Sequence, residues 1–147
     1  MELLDFEKMY DRQTLETEIN TFVEQGRMTR EMADSVRTAD VLGFLDSSVG
    51  KRMRTSADCG KLWKEQPFVL GINAKELYPE EEDGELILVQ GIIDAYFEEP
   101  DGLIVLDYKT DKADRGEELA EKYQEQLRYY AKALEQMTGK KVKEKII

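Results

Sequence analysis

At 147 residues the chain has the length of one domain and enough of it to bury a real core. Its 36% charged and 41% hydrophobic residues are those of a folded globular protein. A formal net charge of −11, from 32 acidic and 21 basic residues, opposes tight nucleic-acid binding by this chain unaided. It leaves room for a module that is handed its DNA by a larger, more basic assembly. The chain contains no histidine, which excludes Ser-His-Asp and Cys-His catalysis and histidine-ligated zinc within it. Carboxylate, lysine and tyrosine chemistry remains, with hard, oxygen-preferring cations such as Mg²⁺ or Mn²⁺.

The single cysteine, Cys59, forms no internal disulfide and supplies no cysteine cluster; it reads as a small, semi-buried residue that binds no cofactor alone. No apolar run approaches the roughly 18–20 residues of a membrane span, and Met1 to Phe6 lacks the order of a signal peptide. The expectation is a cytoplasmic protein with no membrane partner.

Residues 1–64 read as a helical part. Asp11 or Thr14 caps a helix carrying Leu15, Ile19, Phe22 and Val23 and ending near Gly26. Thr29 caps a short second helix through Arg37. Val41, Leu42, Phe44 and Leu45 suggest a third, stopped around Ser47 to Gly50. Lys51-Arg52-Met53-Arg54 reads as a solvated basic helix end, with a phosphate contact as the alternative.

The texture changes at Trp63, and residues 65–147 read as a sheet core. Glu65 to Gly71 predicts a strand, with Pro67 suited to an edge or a strand start. Asn73 to Leu77 adds a helical turn, and Pro79 to Glu85 an acidic solvated loop. Leu86 to Phe97 predicts a long strand in which Gly91 marks a bend or bulge. Leu103 to Tyr108 is its hairpin partner. A helix over about 117–138 follows, with Leu119, Tyr123, Gln126, Leu127, Tyr130, Leu134 and Met137 on one stripe and Gly139 as its C-cap. Val142 to Ile147 begins another strand and stops abruptly, as a piece cut from a longer polypeptide would. The expected architecture is a single α/β domain over 1–147, a small mixed sheet flanked by helices.

The hairpin carries the chemistry. One acid, Asp94, sits in its first strand; Asp107 and Lys109 sit two residues apart in its second. Strands this apolar rarely hold charges that are neither paired nor used. If Glu99 stands opposite Gly102 across the turn, counting back places Asp94 across from Asp107, with Lys109 on the same face. A three-residue loop with a glycine bulge would instead turn Asp107 away unless a second bulge restored the face. Two opposed carboxylates repel, and a divalent cation between them relieves the conflict while gaining hard oxygen ligands. A purely structural ion pair of the two acids with Lys109 is the alternative on spacing alone.

Gly91-Ile-Ile-Asp94, then Asp107-Tyr108-Lys109-Thr110, then Gln126-Leu127-x-x-Tyr130, resembles the motif series of RecB-type nucleases in the PD-(D/E)XK superfamily. The series is most similar to that of the C-terminal nuclease domain of AddA-type helicase-nucleases. The resemblance implies a restriction-endonuclease-like core, with Asp94 and Asp107 as metal ligands and the Tyr108 backbone carbonyl as a further one. Lys109 would be the catalytic lysine, and Gln126 and Tyr130 would reach toward the site and its DNA, with Tyr123 a weaker candidate. It further implies Mg²⁺ (or Mn²⁺) as cofactor and single-stranded DNA fed by an attached ATP-driven helicase. The implied partner is AddB-type, and the implied role is recombinational repair of double-strand breaks. The sole cysteine argues against the iron-sulfur branch of these nucleases.

One departure matters. The family places a metal-binding histidine on a helix before the first strand, and this chain has none, so the metal site is expected to lack a ligand. A piece that begins downstream of that histidine accounts for this. Two functions therefore stand: a metal-dependent DNA exonuclease module of a helicase-nuclease, and a catalytically inactive nuclease fold serving as an interaction or scaffold module.

Overall fold

The computed structural model describes residues 1–80, 84–108 and 116–147, with side chains from residue 120 onward in the last stretch. The chain divides into two compact units, one spanning essentially Leu3–Gly60 and the other Lys61–Ile147.

The first unit is helical: α1 Arg12–Glu24, α2 Arg30–Ser35, α3 Thr38–Asp46 and α4 Ser48–Asp58. Asp11 caps α1 in a reciprocal box, its carboxylate accepting from the Thr14 N–H while the Thr14 hydroxyl accepts from the Asp11 N–H, both at 2.8 Å. Leu15, Ile19 and Phe22 form the buried stripe of α1. Thr29 caps α2, which ends two residues earlier than its sequence suggests. α3 stops at Ser47, within the expected span, and a fourth helix begins at once. Ser47 ends α3 and its hydroxyl accepts from the Gly50 N–H at 3.1 Å, capping α4. The basic cluster Lys51 to Arg54 lies inside this helix, whose buried face is Gly50, Met53, Ser56 and Ala57. Cys59 follows α4 and is exposed rather than semi-buried.

The second unit is a four-stranded sheet in the order β1-β2-β3-β4, with β1 Leu62–Asn73, β2 Leu86–Glu99, β3 Gly102–Leu106 and β4 Val142–Ile146. A short helix α5 (Ala74–Leu77) follows β1, and the long helix α6 (Gly116–Thr138) joins β3 to β4. β1, β2 and β3 are antiparallel neighbours, whereas β4 lies parallel to β3, as a helical crossover requires. Pro67 is accommodated because β1 is an edge strand. Gly139, with φ +70, ends α6 as its N–H donates to the Glu135 carbonyl at 3.0 Å.

The core gathers Phe68, Leu70 and Ile72 of β1, Ile93 and Tyr96 of β2, Leu103 and Val105 of β3, and Leu127, Tyr130, Ala133 and Leu134 of α6. The stripe predicted on α6 therefore holds at its centre. It shifts at its end, where Ala131 and Ala133 are buried and Met137 is exposed. Leu119's side chain lies outside the described residues. Gly91 makes no bulge: it pairs regularly with Phe68, whose ring stands 3.0 Å from where a Cβ at Gly91 would be. The irregularity of β2 falls three residues later, at Asp94.

Candidate functional site

The β2–β3 hairpin pairs Glu99 with Gly102 and continues in register to Ala95 with Leu106. This is the even register, so the next step along both strands brings Asp94 and Asp107 together. Gly102 allows it: at φ +152 it closes a two-residue Pro100-Asp101 loop, and a Cβ there would stand 3.0 Å from the Lys141 carbonyl of the β4 approach. Lys143 of β4 ties the turn down, its ammonium meeting Glu99 at 2.5 Å and also meeting Asp101.

Asp107 begins just past β3, where its N–H donates to the Ile146 carbonyl at 3.0 Å, and its residue is 3% exposed. The following N–H, that of Tyr108, donates to Asp94 Oδ2 at 2.8 Å. The chain leaving β3 is thus held on one side by β4 and on the other by the acid of β2. Burial pushes the Asp94 carboxyl above its usual value of 3.8, and a hydrogen bond shared with the Asp107 side chain raises it further. The Tyr108 N–H works the other way, favouring the charged form, while the negative charges of Asp107 and Glu65 add to the rise. Burial, followed by the Asp94 and Glu65 charges, drives the Tyr108 phenol far above its ordinary 10.0, so it remains neutral at physiological pH.

Two carboxyls in hydrogen-bonding contact, one of them buried, form a donor set that suits a hard divalent cation: with a cation present, neither needs to hold a proton. The Tyr108 carbonyl is the adjacent hard oxygen. The set is incomplete among the described residues, where no three His, Cys, Asp or Glu side chains converge closely enough to hold a metal ion.

Of the other expected residues, Gln126 and Tyr130 sit one turn apart on α6, and Gln126 Nε2 donates to Tyr130 Oη at 2.6 Å. The Tyr130 ring is buried in an edge-to-face contact with Phe68, centroids 5.5 Å apart, which fixes it to the sheet. Tyr123 is half-buried one turn earlier. Lys109 and Thr110 lie outside the described residues.

One further participant has a backbone conformation that the sequence does not signal. Glu65 stands opposite Asp94, between the pairs Lys64↔Ala95 and Gln66↔Ile93. Its φ of +50 makes it the sole non-glycine residue with positive φ among the described residues. A left-handed glutamate costs about 1–2 kcal/mol and persists only where surrounding structure imposes it. No local motif marks it; glycine or asparagine would have.

The chain's residues 4–146 match the model of the PD-(D/E)XK nuclease superfamily. It belongs to that superfamily. The α/β sheet with its crossover helix is the superfamily's restriction-endonuclease-like core, and PD-(D/E)XK nucleases generally use divalent metal ions. Among individual proteins, the chain is 45% identical over 144 residues to one from Acetivibrio thermocellus that is named as a subunit of an ATP-dependent helicase/nuclease. That match covers 94% of the chain and 11% of the relative. Proteins of the same name from Thermoanaerobacter sp. (strain X514) and Clostridium novyi (strain NT) are 42% and 39% identical, each covering 100% of the chain and 12% of the relative. The chain thus spans about an eighth of the length of these nuclease relatives.

Proposed function

We propose that this chain is the metal-dependent DNA exonuclease module of a bacterial helicase-nuclease, acting on single strands delivered by the helicase during recombinational repair of double-strand ends. The observation that carries the reading is the pairing of Asp94 with the buried Asp107 at the end of the β2–β3 hairpin, in a PD-(D/E)XK chain.

In this reading Asp94 and Asp107 hold Mg²⁺ (or Mn²⁺), with the Tyr108 carbonyl as a third oxygen. An ion held there would supply Lewis-acid chemistry, polarising a phosphoryl oxygen of the scissile phosphate and lowering the pKa of an attacking water. The Tyr108 N–H holds Asp94 Oδ2 in place and so orients the carboxylate that would serve as a ligand. Lys109, two residues beyond Asp107, orients the water or neutralises charge on the phosphorane. Gln126, restrained by Tyr130, presents its amide toward the DNA. DNA is the substrate, the partners are the rest of the AddA-type polypeptide and its AddB-type companion, and the compartment is the cytoplasm. Among the described residues no helix is long and apolar enough to cross a membrane.

A second reading, an inactive nuclease fold used as a scaffold, draws support from the absence of histidine and the net charge of −11. Calorimetric titration with Mn²⁺ separates the two. The nuclease reading expects binding by the wild-type chain that Asp107→Ala weakens by about tenfold or more. Identical heats from the two proteins would favour the scaffold.

A further inference from the structure

The two long strands of the sheet change faces at the same step. Trp63 and Tyr96 stack on each other at 4.8 Å and belong with the core beneath α6, as do Phe68 and Ile93. Trp63 and Phe68 are five residues apart, and Ile93 and Tyr96 are three apart. A regular strand returns to the same face only after an even number of residues. Each strand therefore contains one step that does not alternate, and Glu65 and Asp94 face each other at that step.

The register is the same on both sides of the break, Lys64 with Ala95 and Gln66 with Ile93. The two irregularities cancel, so the register is kept and only the Glu65–Asp94 position drops out of the ladder. Counting back from Tyr96 places Asp94 on the α6 side, where Val105 and then Asp107 also point. Phe68, Leu70 and Ile72 pair with Gly91, Val89 and Ile87, and counting two residues on from Gly91 places Ile93 on that side too. A regular strand would have to choose: with Asp94 toward Asp107, Ile93, Val89 and Ile87 would turn outward.

We propose that Glu65 is a positioning residue for the acidic pair, acting through its left-handed backbone rather than its carboxylate. Its φ of +50 opens the step that lets Asp94 face Asp107 while Ile93 stays in the core. The inference rests on the metal-site reading for its consequence, but not for its geometry.

The test compares Glu65→Gly, Glu65→Ala and Glu65→Val, all of which remove the carboxylate and differ in tolerance of positive φ. The readout is amide hydrogen exchange. The Tyr108 N–H reports the bond to Asp94, and the neighbouring Asp107 N–H, bonded to Ile146, reports β3–β4 pairing. The ratio of the two protections is expected to be at least wild-type in the glycine variant and smaller in alanine. In valine it should fall about tenfold, because a β-branched residue resists positive φ. Glycine should also be more stable than alanine, the reverse of the usual order in a strand. If valine does not fold, the glycine–alanine comparison decides alone. A ratio that is equal in all variants, or that falls in glycine as in alanine, overturns the proposal. Mn²⁺ titration of the glycine variant then addresses the metal reading separately: retained exchange ratio with no Mn²⁺ binding in any variant would count against the metal and not against the positioning.

Discussion

Asp94 is the acid of the pair whose titration the fold shifts upward. Its carboxyl is raised above 3.8 by burial and by Asp107, so the native chain holds a proton at pH values where the unfolded chain has released it. The associated stability is present below the ordinary carboxylate range and is lost as pH rises through the higher, folded value. At neutral pH without metal the pair is therefore a source of repulsion. Asp94→Asn keeps an oxygen to accept the Tyr108 N–H and adds an amide that can donate to Asp107. The variant should melt about 2–4 °C higher than wild type at pH 7 by differential scanning calorimetry, with the gain vanishing near pH 3. It should bind Mn²⁺ more weakly. A lower melting point at pH 7 would contradict the electrostatic account. The residues left two registers open for this hairpin, and the observed Glu99–Gly102 pairing is the one that brings the two acids together. The positive φ of Glu65 could not be read at all, since nothing in a glutamate announces it; only the faces of Trp63, Phe68, Ile93 and Tyr96 reveal it.

At the scale of elements, the hairpin turn and α6 carry separable energies. Gly102→Ala would push a methyl against the Lys141 carbonyl and force a side chain into a conformation that glycine tolerates. A loss of about 1–3 kcal/mol in urea unfolding is expected. Leu134 is fully buried between α6 and the sheet, and Leu134→Ala should cost about 2–5 kcal/mol by the same measurement. A loss well under 1 kcal/mol in either would show the turn or the core to be looser than described. Long, strongly patterned elements such as α6 and β2 were legible within a few residues. The break within β2 was not, because Leu86, Leu88 and Ile92 on its exposed side are as apolar as Ile87, Val89 and Ile93 on its inner side. Alternation cannot be read where both faces are hydrophobic. The helix α4 escaped for the opposite reason. Its buried face is made of Gly50, Met53, Ser56 and Ala57, too small and polar a set to form a visible stripe.

At the scale of the whole molecule, the acidity and the short span belong together. A chain with net charge −11 that covers 11–12% of its helicase/nuclease relatives has little means of gathering DNA on its own. In the proposed reading a helicase delivers the strand, and the module has no need to. The measurement that tests this most directly uses the full-length parent polypeptide in its native assembly. Asp107→Ala and Lys109→Ala are each assayed for Mg²⁺-dependent DNA degradation and, in parallel, for DNA-stimulated ATP hydrolysis. The account predicts that degradation falls by about 10²-fold or more in both variants while ATP hydrolysis is retained. Degradation at the wild-type rate in Asp107→Ala would contradict it, and would leave the acids of the hairpin as structure alone.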